Sequence, residues 1–76
     1  MTTLDQIAIE NTVKVVSFKN LLIASRLMSM GITPGVSVVI LRKTLAGSTY
    51  LLQFPQLTLA LRKDEVEQIV VESSSL

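Results

Sequence analysis

The stretch RLMSMGITPG, residues 26–35, decides how this chain folds, because it ends an apolar helix and then reverses the direction of the chain. Asn20 suits a helix N-cap, so the following run LLIASRLMSM (21–30) is predicted to be a helix of nearly three turns. Gly31 is well placed to supply the left-handed residue that commonly follows a helix end. The sequence therefore predicts an abrupt helix stop at Gly31.

A tight reversal follows the helix at TPGV, residues 33–36. This pattern is typical of a type II turn, in which Pro34 presets φ and Gly35 accepts a positive φ without strain. Gly31, Pro34 and Gly35 are therefore predicted to be structural turn residues that send the chain into the next strand in a fixed direction.

Short runs rich in β-branched and aliphatic residues predict strands on both sides of this reversal. The five runs are TVKVVSF (12–18), VSVVILRK (36–43), TYLLQF (49–54), LTLALR (57–62) and EQIVVE (67–72). The segment TLDQ (3–6) fits a capping box, in which Gln6 reaches back to Thr3, and predicts one helical turn at the start. Because closure removes exposed strand edges, we predict a mainly β fold: a small five-stranded barrel with one short α-helix between the first and second strands.

Alternation along the strands sorts the apolar side chains into a core and a surplus. The predicted core comprises Val13, Val15, Val36, Val38, Ile40, Leu52, Phe54, Leu57, Leu59, Leu61, Ile69 and Val71. Val16, Val39, Leu41 and Val70 fall on the outward parity, and Leu22 lies on the polar half of the helix. Two interpretations stay open: singly scattered exposed residues, or a contiguous docking or oligomer surface.

Composition restricts the class of protein. The 76 residues, 49% hydrophobic and 17% charged, predict one folded domain over residues 1–76, with 73–76 as a frayed tail. The chain has no Cys, no signal-peptide pattern and no apolar run near the roughly 18 residues that span a bilayer. These absences predict a soluble intracellular protein.

All seven basic residues lie between 11 and 63, where there is no acid. That asymmetry indicates either a basic sheet or an anionic partner.

Residues that carry catalysis or bind metals are scarce. With neither His nor Cys, the chain has no imidazole base, no thiolate nucleophile and no soft metal ligand of these types. Asp64, Glu65 and Glu67 could hold a hard cation weakly, but a solvated acidic turn is the favoured interpretation. The sequence predicts no catalytic, metal or cofactor-binding residue.

The order and spacing of several short motifs resemble the FeoA family of ferrous iron transport proteins. The matching residues are Arg26-Leu27, Met30-Gly31-Ile32, Pro34-Gly35, Leu61-Arg62 and Ile69 to Val71, within a resemblance that spans about residues 4–72. Glu10-Asn11 and Pro55-Gln56 stand near positions where the family commonly has a Gly, so the two departures concern the geometry of local turns.

This resemblance implies an SH3-like barrel that is not catalytic and uses no cofactor. It also implies a cytoplasmic accessory of ferrous iron uptake that binds the GTPase-bearing cytoplasmic part of the transporter FeoB. Contact with the inner membrane would then occur only through that transporter.

A docking surface for this partner is predicted on the outer half of the helix. Leu22 and Arg26 lie one turn apart there, and Lys19 precedes the helix, so these three are the predicted partner-binding residues. The alternative is that Arg26 extends along the barrel surface or pairs with Glu10 or Asp5.

Two other functions stay open. Small barrels can bind nucleic acid, but the only aromatic residues are Phe18, Tyr50 and Phe54, and the last two share the interior parity. That arrangement argues against a base-stacking surface. The surplus apolar surface could instead close a homo-oligomer, which is compatible with transporter binding.

Overall fold

The computed structural model describes residues 2–73, which form one six-stranded antiparallel sheet and two short helices. The sheet curls around a single core, so the molecule is nearly as wide as it is long, at 31 × 28 × 26 Å. The elements are β1 (Thr2–Thr3), a 3-10 turn (Leu4–Gln6), β2 (Thr12–Phe18), α1 (Leu21–Met28), β3 (Ser37–Lys43), β4 (Thr49–Phe54), β5 (Leu57–Arg62), α2 (Lys63–Val66) and β6 (Ile69–Ser73).

The strand bounds follow the sequence patterns closely. β2, β4 and β5 have the bounds predicted for them, and β3 begins one residue later than predicted. The last strand begins at Ile69 instead of residue 67, because α2 and its right-handed C-cap residue Glu67 occupy the preceding positions. Ser73 ends β6 opposite Val13, and the rest of the predicted tail, residues 74–76, lies outside the described residues.

The prediction of a closed five-stranded barrel is wrong in two respects, since the sheet has six strands and is not closed. The strand order is β1-β6-β2-β3-β4-β5, which leaves β1 and β5 at opposite edges. β1 is short because Thr3 ends the strand and opens the 3-10 turn, its N–H donating to Gln6 Oε1 at 3.1 Å. This interaction is the back-reach predicted for the capping box, and the strand β1 before it has only two residues.

The C-terminal end of α1 is a Schellman motif. The Gly31 N–H donates to the Met28 carbonyl and the Ile32 N–H to the Leu27 carbonyl, both at 3.0 Å, with Gly31 at φ +88°. Leu27 and Ile32 are both buried, which supplies the hydrophobic contact that commonly accompanies this motif. The regular helix therefore ends at Met28, two residues before the predicted end at residue 30.

The reversal that follows is attached directly to β2. Gly35 has φ +99°, and the Val36 N–H donates to the Thr33 carbonyl at 3.1 Å, as in a type II turn. The Gly35 N–H donates to the Val15 carbonyl at 2.7 Å, and the Val15 N–H to the Val36 carbonyl at 2.9 Å. The turn thus delivers β3 alongside β2 in antiparallel register.

The core agrees with the predicted set and extends it. Every predicted core residue is buried except Val36, Leu57 and Leu59, which pack half-buried against the core. The other buried core residues are Leu4, Leu27, Ile32, Tyr50 and Val66. The added residues come mainly from the helices and turns. Alternation along strands gives no information on residues in those segments.

Two β-bulges explain part of the apolar surplus. The register shifts between Val15 and Ser17 on β2 and between Ile40 and Arg42 on β3, so Val16 and Leu41 are the extra, exposed residues.

Val70 is buried although it lies on the outward parity: its exposed fraction is only 7%, yet it is not among the residues of the core cluster that holds Ile69 and Val71. Val70 lies in the sheet between Thr3 of β1 and Ser17 of β2. The predicted fold has no β1. In the structure this strand pairs with β6 on the side away from β2.

Glu10 lies at the first place where this chain departs from the FeoA pattern, near a position where that family commonly has a glycine. It has φ +73°, a conformation that favours glycine, and its N–H donates to the Ile40 carbonyl at 2.9 Å. At the second departure, Pro55-Gln56 forms the two-residue turn between the paired residues Phe54 and Leu57. The chain therefore keeps a glycine-type backbone at Glu10 without having glycine there.

Candidate functional site

The N-terminal end of α1 projects apolar side chains into solvent. Asn20 caps the helix, its Oδ1 accepting from the Leu22 N–H at 2.7 Å and from the Ile23 N–H at 3.3 Å. The helix therefore begins where the chain leaves β2, and its first two residues lie beyond the core. Leu21 and Leu22 are 86% and 81% exposed. Two adjacent leucines at this exposure form the most apolar part of the helix surface.

Arg26 connects α1 to α2 through an ion pair. Its Nη1 donates to Glu65 Oε2, while Glu65 Oε1 accepts from the Arg62 N–H at 2.9 Å. The alternative pairing of Arg26 with Glu10 or Asp5 is wrong, because folding brings Glu65, 39 residues later, to the helix. This contact depends on where α2 lies after β5, which no local motif reports.

Glu65 is favoured in its charged form. The Arg62 N–H, together with the Arg26 guanidinium, holds the pKa of the Glu65 carboxyl below its ordinary value, and partial burial opposes that shift. The Glu65 side chain is half-buried, and that of Arg26 is more exposed. One carboxylate therefore stabilises the start of α2 and fixes the position of the Arg26 side chain.

A shallow groove runs between α1 and α2 beside this ion pair. Its walls include Leu22, Arg26, Glu65 and Gln68. The structure therefore brings together two of the three predicted partner-binding residues. Lys19 is exposed at the start of the helix, where its backbone N–H donates to the Gln68 carbonyl at 2.8 Å, but it does not line the groove.

Two of the three acidic residues in and beside α2, Glu65 and Glu67, pair with cationic groups of the chain. Glu65 pairs with Arg26, and Glu67 lies 3.7 Å from Lys63 across one turn. Among residues 2–73 there is no group of three or more carboxylate side chains arranged to hold a metal ion.

The aromatic side chains point inward. Tyr50 and Phe54 are buried, as their parity predicts, and Phe18 packs half-buried against the core. Lys43 Nζ lies 5.2 Å from the centroid of the Tyr50 ring, so a cation covers the most polar of the three rings. This arrangement leaves little aromatic surface for stacking nucleic-acid bases.

Sequence reasoning missed two exposed leucines. Helical spacing at 100° per residue puts Leu21 at the margin of the apolar half of the helix, yet its side chain is almost fully exposed. Leu45 lies in the β3–β4 hairpin loop and is fully exposed. Leu45 lies two residues before Gly47 in a short turn that has no buried face. That position is the signal from which its exposure could have been predicted.

Comparison with known proteins identifies the relatives of this fold. The family model described as "FeoA domain" matches residues 2–73. The FeoA protein of Chlorobium tepidum is 23% identical, with a TM-score of 0.89 over 97% of this chain and 71% of that chain. A FeoA-like protein of Clostridium acetobutylicum is 30% identical, with a TM-score of 0.84 over 100% of this chain and 93% of that chain.

A third structure is FeoA of Stenotrophomonas maltophilia complexed with zinc, described as a prokaryotic SH3 domain protein and a candidate ferrous iron transport activating factor. It is 28% identical, with a TM-score of 0.83 over 95% of this chain and 91% of that chain. The fold of this chain is therefore SH3-like. ScaR, whose structure holds bound Cd2+, shares that fold at 19% identity and a TM-score of 0.83, over 96% of this chain and 35% of the ScaR chain.

No curated protein matches this chain. Neither helix in the described part of the chain has the length and apolarity needed to cross a membrane. The domain match nevertheless covers almost the whole sequence, and three structures of FeoA or FeoA-like proteins share its fold over 95–100% of this chain. The chain belongs to the FeoA family.

Proposed function

We propose that this chain is a non-catalytic accessory of ferrous iron uptake and that it acts by binding the GTPase-bearing cytoplasmic part of a FeoB-type transporter. One observation carries the proposal: a FeoA domain over residues 2–73 presents two adjacent, exposed leucines on α1. Exposed apolar residues beside a fixed charge are a common composition for a protein-binding surface. This assignment also places the chain in the cytoplasm, beside the inner membrane through its partner.

The contacts around α1 suggest how such a surface would work. Leu22 would supply apolar area to be buried by the partner, and Arg26 would supply a charge whose position is already set by Glu65. A side chain held in place before binding loses less conformational entropy in the complex. Lys19, at the start of the helix, would act at the rim and affect the rate of association more than the affinity.

Binding of the full chain to the transporter's purified cytoplasmic domain tests the proposal, measured with and without guanine nucleotide. The chosen variant is Leu22→Ser, because Arg26→Glu would place two carboxylates against one another at Glu65. We expect Leu22→Ser to weaken binding by about fivefold or more, the effect of losing an anchor of over about 1 kcal/mol.

The matched control is Leu45→Ser, which removes an even more exposed leucine from the β3–β4 loop. We expect this variant to bind as the wild type does. Absence of binding by the wild-type chain would overturn the proposed partner. Binding that is weakened by Leu45→Ser and not by Leu22→Ser would contradict the proposed surface while leaving the partner in place.

A further inference from the structure

The strand β5 is an unprotected edge of the sheet. It pairs with β4 at all six positions, from Thr49–Arg62 to Phe54–Leu57, without a register shift. Within residues 2–73 no strand pairs with its other side. Edge strands are usually protected by charged residues, Pro or bulges, but between Leu57 and Leu61 this edge has none of them. Such an edge is a template for adding another strand.

The hydrogen bonds at the end of β5 show which backbone groups face outward. The Arg62 N–H donates to Glu65 Oε1 and so points away from β4, whereas the Lys63 N–H donates to the Ser48 carbonyl, on the side of β4. Because successive residues of a strand direct their N–H and C=O groups to opposite sides, those of Thr58 and Ala60 also point away from β4. Both residues are exposed.

We propose that this edge pairs with the β5 edge of a second copy of the chain, antiparallel and centred on Leu59. In this register Thr58 of one copy faces Ala60 of the other, and symmetry repeats the pair, so two residue pairs form two hydrogen bonds each. Centring the pairing one residue to either side fits less well. One shift requires the Arg62 N–H, which Glu65 already binds, and the other requires Gln56, which lies in the β4–β5 turn.

The side chains of β5 are compatible with their own copy. On the core side, Leu59 would meet Leu59 and Leu57 would meet Leu61, which covers two leucines that are half-buried in the single chain. On the outer side, Thr58 and Ala60 are small and uncharged. Arg62 would lie opposite Gln56, so the pairing places no like charges together. A second copy is the favoured occupant because one edge satisfies both halves of a two-fold interface.

The first test is amide hydrogen exchange of the unmodified full chain, measured at low and high protein concentration. A single strand pair buries little area, so we expect weak association that becomes visible only toward about 1 mM. Exchange at Thr58 and Ala60 should slow at high concentration, whereas Leu59 and Leu61, bonded to β4, should be protected throughout. Light scattering should show the mass rising from 8.3 kDa toward twice that value.

The second test compares Ala60→Pro with Ala60→Ser. Proline removes the outward N–H without removing a hydrogen bond to β4, and serine keeps that N–H in a small side chain. We expect Ala60→Pro to weaken dimerisation by at least about tenfold and Ala60→Ser to leave it unchanged. If Ala60→Pro does not fold, Ala60→Lys tests the same edge by placing a long charged side chain opposite Thr58 of the other copy, with the second lysine diagonal to it.

The proposal would be overturned by a chain that stays monomeric up to about 1 mM. It would equally be overturned by a dimer that Ala60→Pro or Ala60→Lys, folded by circular dichroism, leaves intact. A monomer whose β5 amides become protected only when another protein is added would assign the edge to that protein instead.

Discussion

The two ends of α1 use the same residue type in opposite ways. At the C-terminal end, Leu27 is fully buried and packs beside Ile32 within the Schellman motif. At the N-terminal end, Leu21 and Leu22 are largely in solvent. In this eight-residue helix, full burial of a leucine is thus confined to the C-terminal end, although Ile23 also packs half-buried against the core. The other end keeps apolar surface that contributes little to folding and is available to a partner.

Truncating a leucine at each end should give the largest contrast. Leu27→Ala removes a fully buried side chain and leaves a cavity, so we expect the free energy of unfolding to fall by about 2–5 kcal/mol. Leu22→Ala removes an exposed side chain from the same helix, and we expect a change within about 0.5 kcal/mol. Denaturant-induced unfolding of both variants measures the difference. Similar losses for the two would show that the N-terminal end packs against the core in solution.

The glycine that ends α1 should have the second-largest effect. Gly31→Ala introduces a Cβ at φ +88°, with no other atom within 4 Å of it, so its cost arises from the backbone alone. We expect a loss of about 1–2 kcal/mol in the free energy of unfolding.

Ser29→Ala is the matched control for that glycine, because Ser29 has a right-handed φ of −67° two residues earlier. We expect it to change the free energy of unfolding by no more than about 0.5 kcal/mol. Equal effects of the two variants would contradict the role assigned to the left-handed residue.

The ion pair between α1 and α2 should have the smallest effect, and one that depends on pH. The folded-state pKa of Glu65 is lowered, so its stabilisation is present above the ordinary value of 4.5 and is lost as pH falls through the folded-state pKa. We expect Glu65→Gln to lower the free energy of unfolding by about 0.5–1 kcal/mol at pH 7, a value reduced by solvent screening of the half-exposed Arg26.

The measurement for this pair is the difference between wild type and Glu65→Gln across a pH series, which should shrink at acid pH. Glu67→Gln is its control, since it removes an exposed pair with Lys63 on the same short helix. We expect the control to change the free energy of unfolding by less than about 0.5 kcal/mol at pH 7. A difference for Glu65→Gln that grows at acid pH would contradict the direction of the pKa shift.

Prediction from the sequence succeeded where the signal lies within a few residues. Alternating β-branched residues bounded by turn residues located β2, β4 and β5, and the capping pattern located the 3-10 turn. Prediction failed where the outcome depends on contacts between segments that lie far apart in the sequence. The partner of Arg26 is one such case, and the low exposure of Val70, which pairs with β1 on one side and β2 on the other, is another.

By itself, the sequence determined where the chain stops, turns and extends, because glycine, proline, asparagine and β-branched residues each restrict their own backbone angles. It also placed the chain in its family, through the order of those same residues. Only the tertiary structure decided that the sheet stays open with β5 at one edge, that Glu65 binds Arg26, and that Leu21 faces solvent. Those outcomes depend on which distant surfaces meet during folding, and that is a competition among contacts that no local pattern encodes.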